Sequence, residues 1–186
     1  MSDAPSRVRK NSGAALVNGR VRLRLLEAGD LPLTLSWRND EDNRRWFFTT
    51  DPIPLDAHRR WFEQYRDRDD DFVFVIEETE TLKRAVGQLS LYRIEWDTGR
   101  AEFGRLLMGD PEAKGLGLAQ LATACLTDEA LTSWGLREIR CGCRAVNTRA
   151  IAVCAACGFI AQEPVDGVTE MIKCHAGYRH PERVEG

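Results

Sequence analysis

The sequence has no long hydrophobic run. No stretch of its 186 residues approaches the ~20 apolar residues that a membrane-spanning helix needs. The first 19 residues also lack the apolar segment of a secretory signal. An excess of basic residues is missing as well, since the formal net charge is -3, which argues against a surface built to bind nucleic acid. We therefore expect a cytoplasmic protein without a membrane or nucleic-acid partner.

The length and composition favour one folded domain. The chain is 43% hydrophobic and 30% charged, which is typical of a globular protein with a buried core. Residues 1–19 are polar, small and basic, and we interpret them as a disordered tail. Residues 20–176 are predicted to form the domain, and residues 177–186 a C-terminal tail.

The six cysteines occur without an export signal and inside apolar patterns, so we expect reduced, mostly buried thiols. The spacings Cys141-x-Cys143 and Cys154-x-x-Cys157 are compatible with a zinc site. The segment between these pairs, however, has strand and then helix character rather than short ligand-bearing loops. We therefore predict no metal site.

Hydrophobic periodicity predicts an α/β (α+β) fold with about seven strands and about four helices. No internal repeat is evident. The predicted order is β-α-α-β-β-β-α-β-α-β-β, which describes a mixed, mostly antiparallel sheet. Strands are predicted near residues 21–26, 72–76, 85–94, 100–108 and 137–144, with two more between 159 and 173, and helices at 31–39, 55–65, 115–134 and 147–157.

A glycine-bearing turn joins the strand that ends at Met108 to the long Ala/Leu-rich helix. The unpaired N–H groups and positive dipole end of such a helix favour an anion, and glycines allow a phosphate to approach the backbone. The segment Gly115-Leu116-Gly117 is thus a candidate pyrophosphate cradle. The same spacing also fits a turn with a purely structural role.

Two segments resemble motifs of the GNAT superfamily of acyltransferases. Glu112-Ala113-Lys114-Gly115-Leu116-Gly117 resembles motif A, Gln/Arg-x-x-Gly-x-Gly/Ala, and residues 147–159 resemble the later Asn-x-x-Ala segment that ends in Gly-Phe. At the first position of motif A, Glu112 replaces the usual Gln or Arg, and its negative charge would repel a phosphate. The positive charge of Lys114 could offset this repulsion. The resemblance implies a GNAT fold, a twisted sheet splayed between its fourth and fifth strands, and acetyl-coenzyme A as acyl donor.

The resemblance also implies which residues bind the donor. The exposed edge of the fourth strand would pair with the pantetheine, the glycine turn would hold the pyrophosphate, and the later motif would contact the pantetheine and phosphate arms. The residues concerned are Leu106, Leu107 and Met108 for the strand, Lys114, Gly115, Leu116, Gly117, Leu118 and Ala119 for the turn, and Asn147, Arg149 and Ala150 for the later motif. Asn147 also suits a plain helix N-cap, and both roles can hold at once.

Acyl transfer to an alkylamine needs a base, because such an amine has a pKa of about 10.4 and is protonated at neutral pH. Glu102 stands where many family members carry a catalytic Glu, although strand alternation equally allows a solvent-facing acid; Glu95 and Asp97 are weaker candidates. Cys154 occupies the position of the usual proton-donating Tyr. It could protonate the leaving thiolate, be a silent replacement, or carry the acyl group transiently. We expect direct transfer in a ternary complex.

The N-terminal third is similar to bacterial acetyltransferases of the pseudaminic acid pathway type, which modify amino sugars carried on a nucleotide. The resemblance rests on Trp37-Arg38-Asn39, the aromatic cluster at 46–48 and the His58-x-x-Trp61-Phe62 helix. Arginine suits a diphosphate and aromatic faces suit a base or sugar, although an aromatic mini-core would look the same. The predicted acceptor-binding residues are Arg38, Asn39, Trp46, His58, Trp61 and Tyr92.

Other functions share these features. The sequence also resembles ribosomal-protein N-terminal acetyltransferases, and an aminoglycoside acetyltransferase is a further alternative, which the arginine-rich acceptor half mildly disfavours. From another class, a non-catalytic acyl-CoA-binding module would explain the missing Tyr and the substituted Glu112. The sequence leaves the oligomeric state open, a homodimer being one option.

Overall fold

The computed structural model describes residue 10 and residues 15–178. Within them the chain forms one eight-stranded sheet and five α-helices. The strands are β1 (Leu16–Asn18), β2 (Val21–Leu25), β3 (Asp71–Glu78), β4 (Arg84–Glu95), β5 (Arg100–Met108), β6 (Glu138–Arg144), β7 (Ile160–Ala161) and β8 (Val168–Cys174). The helices are α1 (Leu31–Asn39), α2 (Glu41–Arg44), α3 (Leu55–Tyr65), α4 (Leu118–Thr132) and α5 (Thr148–Ala156).

The sheet is mixed and mostly antiparallel, which confirms the predicted fold class. Its strand order is β1-β2-β3-β4-β5-β6-β8-β7. Every neighbouring pair is antiparallel except β5 and β6, which run parallel because α4 carries the chain back across the sheet. No helix in the described residues has both the length and the apolar character needed to cross a membrane.

The N-terminal strand β1 corrects the predicted tail boundary. Residues 16–18 were assigned to a disordered tail, but they pair with β2 through a tight turn at Gly19, whose φ is +56°. The Asn18 amide also donates to the carbonyl of Leu121 in α4. A three-residue strand is too short to show a period in the sequence. The remainder of both predicted tails lies outside the described residues, apart from residues 10, 15, 19, 177 and 178.

Strand β3 is buried on both faces and therefore separates two apolar layers. Phe72, Phe74 and Ile76 face the main core, which the apolar side of α4 covers. Val73 and Val75 pack with residues of α1 and α3 on the other face. This two-sided burial explains the continuous apolar run at 72–76.

Two glycines determine where α4 begins. The helix was predicted from residue 115 but begins at Leu118, because Gly115 and Gly117 have φ values of +82° and +75°, which are left-handed rather than helical. From there Leu118, Ala122 and Leu126 recur every four residues on the buried face of the helix. The first turn of α4 is thereby fixed against the middle of the sheet.

Strands β5 and β6 pair over a short length and then diverge. Within the described residues their register is Arg100 with Glu138, Ala101 with Ile139, and Glu102 with Arg140. Strand β5 continues to Met108 and β6 to Arg144 without further pairing to each other. This is the splay that the sequence resemblance implied, and it opens the sheet at its centre.

Candidate active site

The divergence of β5 and β6 opens a cavity of about 1170 Å³. Its donor-side wall consists of the end of β5, the first turn of α4, the end of β6 and the start of α5. The opposite wall comes from α1, the segment after α2, and α3. The elements that carry the two sequence motifs therefore meet in one place.

A β-bulge directs the end of β5 away from β6. The register between β4 and β5 moves from Ser90–Gly104 to Gln88–Leu107, which leaves one extra residue on β5. Arg105 lies at this bulge with φ of +52°. Its guanidinium donates to the buried carboxylate of Asp71 at 2.7 and 3.1 Å and lies 4.5 Å from the Tyr92 ring centroid. The ion pair stabilises an arginine in the left-handed region, where a glycine would be the usual residue.

Beyond the bulge, Leu106, Leu107 and Met108 line the cavity. Leu107 and Met108 pair with β4 on one side, whereas β6 has already diverged from the other side. A Cβ on Gly87 would lie 2.3 Å from the Leu107 carbonyl oxygen, so only glycine allows this pairing on the β4 side. The open edge of β5 offers peptide groups to an extended ligand, as in β-strand addition.

The turn before α4 presents free backbone and open space. Gly117 is the N-cap, so no side chain satisfies the first N–H groups of the helix. A Cβ added at Gly115 or Gly117 would meet no atom within 4 Å. Lys114, Leu118 and Ala119 line the cavity beside these glycines.

Two residues of motif A do not line the cavity. Leu116, a predicted donor contact, is 39% exposed, and its carbonyl accepts a hydrogen bond from Arg20 at 2.7 Å. Glu112 forms an ion pair with Arg84, which also donates to Asp110 at 2.6 Å. The acidic replacement in the motif is thus neutralised by a neighbour outside the cavity.

Asn147 caps α5 and also lines the cavity. Its Oδ1 accepts a hydrogen bond from the backbone N–H of Ala150 at 3.2 Å, which caps α5. Asn147, Arg149 and Ala150 all line the cavity. A cap that faces a cavity fixes the direction of the first turn of α5 toward a bound ligand.

Two arginines from distant parts of the chain hold the segment 47–49 against the cavity. Arg38 donates to the Thr49 carbonyl at 2.6 Å and stacks on Phe47 at 4.0 Å, and Arg144 donates to the Phe47 carbonyl at 3.0 Å. Within the described residues, the buried Nη1 of Arg38 and Nε of Arg144 have no hydrogen-bond partner. Burial lowers the pKa of Arg38. The prediction included Arg38 and missed Arg144.

His58 lies on the acceptor-side wall of the cavity. Its ring stacks on Trp61 at 5.2 Å, and within the described residues its buried Nε2 has no hydrogen-bond partner. Burial lowers the pKa of His58 from its ordinary 6.5, so the imidazole is neutral at neutral pH. Trp46, Trp61 and Tyr92, three further residues predicted to bind the acceptor, also line the cavity.

Asn39 and Glu102 do not line the cavity, in contrast to the other predicted acceptor and catalytic residues. Asn39 uses both ends of its amide on Ile53, donating to the carbonyl at 2.9 Å and accepting from the N–H at 2.8 Å, so its role is structural. The Glu102 carboxylate accepts from Arg93 at 2.8 Å. Glu102 faces Tyr92 across the β4–β5 pair, and burial followed by the Glu102 charge raises the pKa of Tyr92. Glu102 can therefore influence the cavity through Tyr92.

Three thiols meet on the donor-side wall. Cys141 and Cys143 lie on β6 and Cys154 on α5, and their sulfur atoms are all within 4.8 Å of one another. Hydrogen bonds from Cys141 and then Cys154 lower the pKa of Cys143. The hydrogen bond with Cys141 lowers the pKa of Cys154, but its bond with Cys143 and burial outweigh this and raise that pKa to about 12. The Cys154 thiol therefore keeps its proton at neutral pH.

Known proteins share this architecture. Residues 20–160 match a family model described as an acetyltransferase (GNAT) domain. Among curated proteins, none matches the chain. A spermidine N-acetyltransferase from Vibrio cholerae, solved in complex with CoA and spermine, superposes with a TM-score of 0.75 at 23% identity, covering 85% of this chain and 97% of that one. A domain from Methanocaldococcus jannaschii DSM 2661 gives a TM-score of 0.72 at 19% identity, covering 83% and 97%. At these identities the structural likeness shows a common fold.

Proposed function

We propose that this chain, which belongs to the GNAT acetyltransferase family and is an acetyl-CoA-dependent N-acetyltransferase, acts on a small amine that also carries an anionic group. A nucleotide-linked amino sugar is such an amine. The observation that carries this proposal is the pair Arg38 and Arg144, two half-buried arginines that line the cavity and that each have one buried N–H group without a hydrogen-bond partner among the described residues. A buried cationic donor without a partner is costly, and a phosphate or carboxylate would satisfy it.

The charge of the cavity wall supports the same acceptor class. Among the described residues, six basic side chains line the cavity against one acidic side chain, Asp42. Arg105 is neutralised by Asp71, and Lys114 and Arg149 lie on the donor side, where the phosphates of CoA would bind. Arg45 forms an ion pair with Asp42. Arg38 and Arg144 remain, and both contact the segment 47–49 of the opposite wall. This wall would repel a polycation such as spermidine and attract an anion.

The donor-side residues fit acetyl-CoA. The open edge of β5 at 106–108 would pair with the amide groups of the pantetheine, and the free N–H groups of α4 would bind the diphosphate. Asn147 and Arg149 would hold the first turn of α5 against the same ligand. The donor supplies a thioester carbon that is open to attack by an amine.

Two protons move in the reaction, one from the acceptor nitrogen and one to the leaving sulfur. The acceptor nitrogen attacks the thioester carbon, the carbon–sulfur bond breaks, and the nitrogen loses a proton while the sulfur leaves as a thiolate. His58 can accept the nitrogen's proton at Nε2, whereas burial and the Glu102 charge raise the pKa of Tyr92, so its phenol stays protonated and can donate a hydrogen bond to the reacting groups. The raised pKa of Cys154 makes its thiol a weaker acid than the thiol that leaves, so the departing thiolate takes its proton from solvent. We propose direct transfer in a ternary complex.

The proposal is tested with matched acceptors. Acetylation rates are compared for an amino sugar linked to UDP, the same amino sugar free, and spermidine. We expect the linked sugar to give the highest kcat/KM, and Arg38→Gln and Arg144→Gln each to raise its KM about tenfold or more, because each removes a charged hydrogen bond. Arg59→Gln, which changes an exposed arginine on α3 outside the cavity, serves as the control.

Two results would contradict this assignment. A higher kcat/KM for spermidine than for the linked sugar would exclude the anionic acceptor. Parallel rather than intersecting lines in initial-rate plots would exclude the ternary complex and favour an acyl-cysteine route. Both measurements use the unmodified chain, so neither depends on a variant that fails to fold.

A further inference from the structure

We infer that Cys141, Cys143 and Cys154 form a binding site for a thiophilic d¹⁰ metal ion, Zn²⁺ or Cu⁺, on the wall of the donor cavity. The three sulfur atoms lie within 4.8 Å of one another, and Cys141 Sγ is 3.7 Å from Cys154 Sγ. A Zn–S bond of about 2.3 Å in a tetrahedron places its sulfur ligands about 3.8 Å apart. The thiols are therefore already close to ligating separation.

The ligands stand on fixed elements. Cys141 and Cys143 are two residues apart on β6, so their side chains share one face of the strand. Both residues are held in register by β8, as Cys141 pairs with Met171 and Cys143 with Thr169. Cys154 lies in the last full turn of α5, whose N-terminus is capped by Asn147. A site supplied by rigid elements needs little rearrangement to bind an ion.

Three cysteines, rather than the four of the sequence pattern, form this cluster. The Cys157 thiol is directed to the Gln120 carbonyl at 3.4 Å. The described residues bring no histidine or carboxylate into the group of three. Each of the three cysteines lines the cavity, so a bound ion would keep one coordination position open toward it. Three protein ligands and one open position are also the arrangement of catalytic zinc sites, in which water or substrate takes the fourth position.

The three sulfur ligands determine which metal ion the site would bind. Thiolates are soft ligands and prefer Zn²⁺ and Cu⁺, whereas Mg²⁺ and Ca²⁺ require oxygen. Each cysteine binds as a thiolate, so filling the site releases up to three protons to solvent while the metal keeps its oxidation state. No oxidant or reductant is needed.

Metal binding would block acyl transfer. The ion would sit beside Cys154 on the wall that the thioester end of the donor approaches, and a donor thiol could take its open position. This inhibitory consequence depends on the proposed function, but the metal site itself does not. The two can therefore fail separately.

The test measures binding without any assay of activity. The reduced full-length protein is titrated with Zn²⁺ against a chromophoric chelator, and in a second arm with Cu⁺ against a Cu⁺-specific chelator. Co²⁺ replaces Zn²⁺ in a third sample, where thiolate-to-cobalt charge-transfer absorption reports sulfur ligation. We expect one ion per chain, and Cys143→Ser and Cys154→Ser each to weaken binding about a hundredfold, since each removes one of three ligands.

Cys125→Ser is the matched control, because Cys125 is half-buried like Cys143 but lies on α4 away from the cluster. Thermal melts of each variant verify the fold, and Cys154→Ala replaces Cys154→Ser if the latter unfolds. Binding that is unchanged in both cluster variants, or lost equally in Cys125→Ser, would overturn the site. Absence of sulfur-to-cobalt absorption in the folded wild-type protein would do the same. CoA binding by calorimetry, with and without metal, then tests the blocking separately.

Discussion

The indole ring of Trp37 packs directly against the backbone of Gly109. A Cβ at residue 109 would lie 2.1 Å from Cγ of this ring, so no other residue fits without displacing it. Gly109 follows the last residue of β5, and its N–H donates to the Val86 carbonyl at 2.9 Å. The contact therefore joins α1, on the acceptor side, to the strand that lines the donor side.

This contact predicts that Gly109→Ala destabilises the protein by about 1–3 kcal/mol, because the methyl group overpacks a filled site. Urea unfolding of the variant and the wild type measures the difference. Gly29→Ala is the control, since a Cβ at Gly29 meets no atom within 4 Å. Equal stability of Gly109→Ala and wild type would contradict the contact.

Gly117→Ala is expected to weaken CoA binding more than it weakens the fold. An alanine at φ of +75° costs about 1–2 kcal/mol of stability, and its methyl group would also occupy the space that a diphosphate needs. Gly167→Ala is closely matched, because Gly167 has φ of +76°, equally open surroundings and no part in the cavity wall. Calorimetry should show weaker CoA binding in Gly117→Ala and unchanged CoA binding in Gly167→Ala. Equal CoA affinity in the two variants would contradict a pyrophosphate site at this turn.

The buried imidazole of His58 predicts a stability loss in mild acid. Burial holds the pKa of folded His58 below 6.5, while the unfolded chain takes up the proton near 6.5. Between these two pKa values the unfolded state binds more protons, so the free energy of unfolding decreases as the pH falls. Urea unfolding from about pH 7.5 to about pH 5.5 measures this decrease.

His58→Gln should reduce that pH dependence, because glutamine does not titrate. His175→Gln, which changes an exposed histidine, should leave it as in the wild type. A pH dependence that is the same in His58→Gln and wild type would show that another group causes it.

Tyr92→Phe should lower kcat more than Glu102→Gln does. Tyr92 lines the cavity, whereas the Glu102 carboxylate pairs with Arg93 outside it and acts on the cavity through Tyr92. We expect about a tenfold loss or more for Tyr92→Phe and about threefold or less for Glu102→Gln. Steady-state rates at saturating substrates decide between them, and the reverse order would make Glu102 the direct base.

The sequence predicted the elements whose side chains repeat over several turns or residues. The bounds of α1 and α3 agree with the prediction, because each has an apolar face and a clear start signal. Strand β1 and helix α2 span three and four residues, which is too short for a period to appear. The grouping of the two motifs around one cavity could also be predicted, since the residues of each motif are contiguous in the sequence.

The acceptor side and the thiol cluster depend on contacts between distant residues. The hydrogen bond from Arg144 to Phe47 joins positions 97 residues apart, and no local pattern indicates it. The left-handed Arg105 is stabilised by the buried Asp71 on another strand rather than by its own residue type. The cysteine spacing suggested four ligands or none, whereas the turn of α5 brings one cysteine to β6 and directs the other away.

The sheet consists of two parts that are connected by the short pairing of β5 with β6. Among the described residues, three residue pairs join the five-stranded part, β1 to β5, to β6, β7 and β8. Without a ligand along the open edge, amide hydrogens of the three-stranded part should exchange with solvent sooner than those of β3 and β4, which are bonded on both sides. A pantetheine chain lying between the two parts would act as a ninth strand, and saturating CoA should slow exchange most in β6 and α5.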